Sequence, residues 1–127
     1  MTDKVVDASA IAAMLFDETT ADKVAASLHG HRLFAPALFY TEFANVFLKK
    51  ARANPAMRDV FLAAFDRLDQ MAITLVDVDV RAALALAEHH KLSTYDASYL
   101  WLARELGMEL VTLDERLKKA YQAQWSL

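Results

Sequence analysis

Short β-branched runs alternate with longer helix-forming segments along nearly the whole chain, and this alternation constrains the fold more than any other feature. Strand character appears at Lys4–Asp7, Arg32–Ala35, Ala72–Val78 and Glu109–Leu113. Between these runs the spacing predicts helices. The first spans Ala8–Phe16, with Asp7 or Ser9 placed to cap it. The second, Thr20–Leu28, stops at His29-Gly30. Pro36 reads as the first turn of a long helix to about Ala51, and Asn54-Pro55 breaks the chain before another to about Met71. Val80–His90 follows, with Val80, Ala83, Leu84 and Ala87 on one face. Ser93–Leu106 ends at Gly107, and Asp114–Ala120 closes the series. Trp125–Leu127 would add a further short strand. Strands that alternate with helices predict a parallel sheet covered on both faces. Such sheets bind ligands beyond the carboxyl ends of the strands, where strand order reverses.

With 127 residues and no linker or repeat, the chain is expected to form a single domain over residues 1–127. Its apolar fraction of 56%, with only 2 Gly and 2 Pro, points to a compact, helix-rich core and a surface that a partner covers. Cysteine is absent, which excludes disulfides and thiolate zinc sites. No apolar run reaches the length of a membrane span, and MTDKVVDASA is a poor secretion signal, so the expected location is the cytoplasm. A net charge of −3 argues against broad nucleic-acid binding but not against an RNA substrate met at a metal pocket. Two local basic groups, Lys49/Lys50/Arg52 and Arg116/Lys118/Lys119, read first as solvated helix ends.

Four acids stand at the edges of apolar segments: Asp7, Glu42, Asp96 and Asp114. Asp7 and Asp114 directly follow strands, and each is placed to cap the next helix. Ser93-x-x-Asp96 has the form of a capping box. Glu42 is less easily explained as a surface charge, because it shares a ridge with Leu38 and Val46, beside the apolar stripe of Phe39, Phe43 and Phe47. Thr41, Asn45, Lys49 and Arg52 read as the solvated face of that helix. If the fold gathers the four acids, their mutual repulsion demands a hard cation such as Mg²⁺ or Mn²⁺. The other acids read as surface charges, among them Asp59, Asp66 and Asp69 and the pair Asp77/Asp79. The His29/His31 and His89/His90 pairs lack zinc-ligand spacing. No phosphate loop, nucleophile elbow or dinucleotide fingerprint is present.

The ordered set VVDASA, APALFYTEFANVFLK, LSTYDASYLWLARELG and LVTLDERL resembles the PIN-domain ribonucleases, and most of all the VapC-type toxins of bacterial toxin–antitoxin pairs. The likeness runs from Val5 to about Ala120. The family's four acids match Asp7, Glu42, Asp96 and Asp114. Its small hydroxyl residue matches Ser9, and the Thr of its T-x-D motif matches Thr112. Some relatives carry a further acid or amide where Arg116 stands here. The resemblance implies a three-layer α/β/α domain with a parallel sheet of about five strands. It also implies Mg²⁺- or Mn²⁺-dependent endonuclease action on RNA. The expected partners are a small cognate antitoxin, a second copy of the chain in a homodimer, and toxin–antitoxin hetero-oligomers.

On that reading Asp7 and Asp96 hold the ion most directly, Asp114 and Glu42 complete its surroundings, and Ser9 and Thr112 orient the carboxylates. Phe39, Phe43, Phe47, Phe61 and Phe65 read as mostly core, on helices that could also form the antitoxin groove. Two other functions fit a parallel α/β chain with clustered acids. A binding module of the same fold would have no reason to retain an expensive acidic pocket. A phosphoacceptor receiver domain would want paired acids after the first strand, where Asp7 stands alone.

Overall fold

A computed structural model describes residues 3–16 and 18–123. Its elements run β1 (Asp3–Val6), α1 (Ala8–Leu15), α2 (Ala21–Leu28), β2 (Arg32–Pro36), α3 (Phe39–Ala53), a 3-10 turn (Pro55–Met57), α4 (Arg58–Asp69), β3 (Thr74–Val76), α5 (Val80–His90), α6 (Thr94–Leu106), β4 (Glu109–Val111) and α7 (Glu115–Ala123). All four strands are parallel, in the order β3-β2-β1-β4. The expected fifth strand, Trp125–Leu127, lies outside the described residues.

Central β1 shows why the sheet must be sandwiched. Val5 and Val6 point to opposite faces, and both are fully buried. Helix α6 crosses β1, β2 and β4, with α5 and α7 packed against it, while α1 packs with α2, α3 and α4. The core joins Val5, Val6, Ile11, Phe39, Phe43, Leu68, Leu100 and Leu102. Phe43 sits in an aromatic cluster, with ring centroids 5.5 Å from Phe16 and 5.1 Å from Phe65.

Three details differ from the sequence-based expectation. Pro36 ends β2 opposite Val76 instead of opening α3, and the next amide, at Ala37, donates to Val76 O at 3.1 Å. A proline that cannot donate is tolerated at the last rung of a strand, and α3 begins three residues later. β3 is an edge strand of only three residues; Ala72 ahead of it turns through φ 54°. On α5 only Ala83 and Ala87 of the proposed face are buried. Val80 and Leu84 are 66% and 49% exposed, because α5 covers α6 with one narrow stripe.

Strand order reverses around β1, since β2 and β3 build outward on one side and β4 joins on the other. The crevice beyond the carboxyl ends of β1 and β4 is therefore where this fold offers a site. Asp7 follows β1 there, and Thr112–Asp114 follows β4.

Candidate active site

The four acids come from four separate parts of the chain and line a single cavity of about 350 Å³ at that crevice. Ala8, Ser9, Asn45, Val46, Lys49 and Tyr99 complete its wall, and Lys49 is the only basic side chain among them.

Asp7 is 4% exposed and held by three donors. Its Oδ1 accepts from Ser9 Oγ at 2.7 Å and from the Ala10 amide at 3.0 Å. Its Oδ2 accepts from Thr112 Oγ1 at 2.5 Å. The bond to Ala10 is the N-cap of α1, so the capping role and the place in the cavity belong to the same carboxylate. Burial pushes the Asp7 carboxyl above its ordinary value and the Asp96 charge adds to that, while the three bonds pull the other way.

Thr112 links two acids. Besides donating to Asp7, its Oγ1 accepts from the Asp114 amide at 3.0 Å. Ser9 also reaches across the crevice, its Oγ accepting from the Leu113 amide at 3.3 Å. The hydroxyls of Ser9 and Thr112 thus tie the loop after β4 to the loop after β1. Asp114 in turn caps α7, its Oδ1 accepting from the Leu117 amide at 2.9 Å.

Asp96 stands in the first turn of α6. Ser93 caps that helix, its hydroxyl accepting from the Asp96 amide at 3.1 Å. The Asp96 carboxylate lines the cavity and is itself hydrogen-bonded to Ser93. Desolvation and then the Asp114 charge raise its pKa; Ser93 and the Arg116 guanidinium act against the rise. Glu42, one turn into α3, has its pKa raised by burial and by Asp96 and Asp7.

The sequence reading did not single out Tyr99. Its hydroxyl donates to Glu42 Oε1 at 2.6 Å, across 57 residues of chain. Tyr99 is 1% exposed, and burial beside Glu42 pushes its phenol far above its usual range, so it remains a donor at any working pH. Its signal was its place three residues after Asp96, on the face that α6 turns to the cavity. Asn45 and Lys49 are exposed, as expected of a solvated face, and they also line the cavity. They lie three and seven residues after Glu42 and so share its face of α3.

Among the described residues no three carboxylate or imidazole groups stand close enough to enclose an ion by themselves. The bonds to Thr112, Ser9, Tyr99 and the Leu117 amide hold three of the acids against the walls. An open set of hard oxygens suits Mg²⁺, which keeps several of its waters and takes only one or two carboxylates directly. The raised pKa values of Asp7, Glu42 and Asp96 come first from burial and then from a neighbouring acid, which is the cost of gathering carboxylates in one pocket. A divalent cation would relieve that cost, so the donor set fits the ion that the sequence led us to expect.

Known proteins agree with this architecture. The profile of the family described as PIN domain matches residues 4–123. Ribonuclease VapC3 of Pyrobaculum aerophilum is 32% identical over 125 residues, covering 94% of this chain and 95% of that protein. Ribonuclease VapC3 of Mycobacterium tuberculosis is 33% identical over 120 residues, covering 92% of this chain and 86% of that protein. The crystal structure of PAE2754 from Pyrobaculum aerophilum superposes with a TM-score of 0.77 at 25% identity, over 98% of this chain and 93% of that one.

Proposed function

The chain belongs to the PIN-domain family, and from that premise we propose that it is a divalent-metal-dependent endoribonuclease, the toxin of a VapBC-type toxin–antitoxin pair. The observation that carries the reading is the convergence of Asp7, Glu42, Asp96 and Asp114 on one cavity at the point of strand reversal. Relatives named as ribonucleases over almost their whole length support the substrate class.

Asp7 and Asp96 would hold the ion most directly, with Asp114 and Glu42 completing its surroundings partly through water. An Mg²⁺ or Mn²⁺ ion held there would supply Lewis-acid activation of water and offset negative charge on the phosphate. The chain's own residues prepare the geometry. Thr112 and Ser9 fix both oxygens of Asp7, so that carboxylate needs no reorganisation when the substrate arrives. Tyr99 fixes one oxygen of Glu42, whose side chain lines the cavity. Lys49, in the cavity wall, offers the phosphodiester a positive charge.

The expected partners are an RNA substrate, a small cognate antitoxin, and a second copy of the chain. The incompletely buried apolar residues of α4 support a protein partner: Val60 and Leu62 are 59% and 41% exposed. No helix among the described residues is long and apolar enough to cross a membrane. This agrees with action in the cytoplasm, where its substrate would be met.

The test is cleavage of a labelled small-RNA pool by antitoxin-free protein, with Mg²⁺, Mn²⁺ or EDTA. Discrete products that need metal and vanish in Asp96→Asn are expected, with Asp69→Asn, a change on an exposed helix face, behaving as wild type. Full activity in Asp96→Asn, or in EDTA, would sink the assignment. Folded protein that cleaves nothing under any metal would favour a binding module of the same fold.

A further inference from the structure

A second hollow adjoins the acid cavity along α3. Thr41, Glu42, Ala44, Asn45, Leu48 and Tyr95 line it, and its volume is about 480 Å³. Two of these residues, Glu42 and Asn45, also form the wall of the acid cavity. Whatever occupies the hollow therefore lies next to whatever occupies the acids.

Tyr95 gives the hollow its character. It directly precedes Asp96 in the first turn of α6 and is 63% exposed. One turn later Tyr99 is buried and tied to Glu42, whereas Tyr95 is not part of the core packing. Ala44 and Leu48 supply apolar surface, and Thr41 and Asn45 supply a hydroxyl and an amide that can both donate and accept. An accessible aromatic ring, an apolar wall and amide chemistry at the rim match a nucleobase, which has a π face and a polar edge. Stacking on an aromatic side chain is how proteins commonly hold unpaired bases, with any base tolerated and the edge contacts adding preference.

We propose that this hollow receives one nucleobase of a single-stranded RNA, stacked on Tyr95 with its edge toward Asn45 and Thr41, adjacent to the phosphate cut at the acid cavity. The inference rests on the ribonuclease reading and adds to that site a contact with the base beside the scissile bond.

The test uses the full chain with Tyr95→Ala and Tyr95→Phe, whose folding is checked by urea unfolding. Single-stranded oligoribonucleotides carry 2-aminopurine, or an abasic nucleotide, next to the cleaved bond. Tyr95→Ala should raise KM roughly 10-fold with little change in kcat, and Tyr95→Phe should stay near wild type. Wild type and Tyr95→Ala should converge on the abasic substrate. Independently of turnover, with Ca²⁺ in place of Mg²⁺, the 2-aminopurine should be quenched on binding to wild type and not to Tyr95→Ala. If wild type cleaves but Tyr95→Ala matches it in KM, base preference and quenching, the subsite is wrong while the nuclease reading stands. If wild type quenches through Tyr95 but cleaves no RNA, the subsite stands and the nuclease reading falls. Absence of both cleavage and quenching overturns both. A change in oligomeric state in Tyr95→Ala with RNA binding unaltered would assign the hollow to a second copy of the chain and also overturn the proposal.

Discussion

Removing one oxygen, in Tyr99→Phe, tests how the site is held. The ring fills the same volume, so no cavity forms and the core should not rearrange. What is lost is the 2.6 Å bond from the phenol to Glu42 Oε1. Hydrogen bonds to a charged group are worth about 1.5–3 kcal/mol. Glu42 is only half-buried, so water can partly replace the lost donor, and the low end applies. We expect a loss of about 1.5 kcal/mol at neutral pH, or roughly 5 °C in Tm for a domain of this size. The bond is strongest to ionised Glu42. Its contribution is therefore present above the pKa of Glu42, which burial has raised, and shrinks as pH falls through that value. Urea unfolding of wild type and Tyr99→Phe in EDTA across that range would measure the difference directly. The loss of a group that orients a ligating carboxylate should also weaken Mg²⁺ binding about 10–100-fold. A variant equal to wild type in both stability and metal affinity would refute the argument, as would a penalty that grows toward acid pH.

Thr112→Val should be worse, because Thr112 serves the fully enclosed Asp7 and the Asp114 amide together; about 2–3 kcal/mol should be lost by urea unfolding, with Thr112→Ser recovering most of it. Phe43→Ala, in the centre of the aromatic cluster, should cost about 3–5 kcal/mol in the same assay. In metal-free protein, the raised pKa of Asp96 means that its protonated form stabilises the fold at low pH, and that this stability is lost as pH rises through the raised value. The stability of wild type relative to Asp96→Asn should therefore fall from about pH 4 upward, and a difference that rises instead would contradict the assigned environment.

How much of this was legible in the sequence depended on whether the signal was local. The run from Val5 through Asp7 to Ala8 contains a strand, its end and the next helix cap, and each has a short-range cause. Ser93 and Gly107 bound α6 for the same reason, one as an N-cap and the other in the left-handed conformation at φ 64°. The acids were found because carboxylates at apolar margins are conspicuous. Pro36 misled because its fixed φ suits a helix start and a strand end equally, and only its pairing with Val76 decides between them. On α5, Val80 and Leu84 fitted the helical period, but the period cannot say how wide a stripe the neighbour covers. Tyr99 was missed because its partner lies across the crevice, whereas Asn45 and Lys49 share the Glu42 face of α3 and read only as solvated. The 57 residues between Tyr99 and Glu42 leave no trace in local spacing.

The central claim is that these four carboxylates together hold a divalent cation, and anomalous diffraction from crystals soaked in Mn²⁺ tests it most directly. The account predicts an anomalous peak in the cavity bounded by Asp7, Glu42, Asp96 and Asp114, absent from crystals of Asp96→Asn. An empty cavity at saturating Mn²⁺, or a peak that persists unchanged in Asp96→Asn, would contradict it.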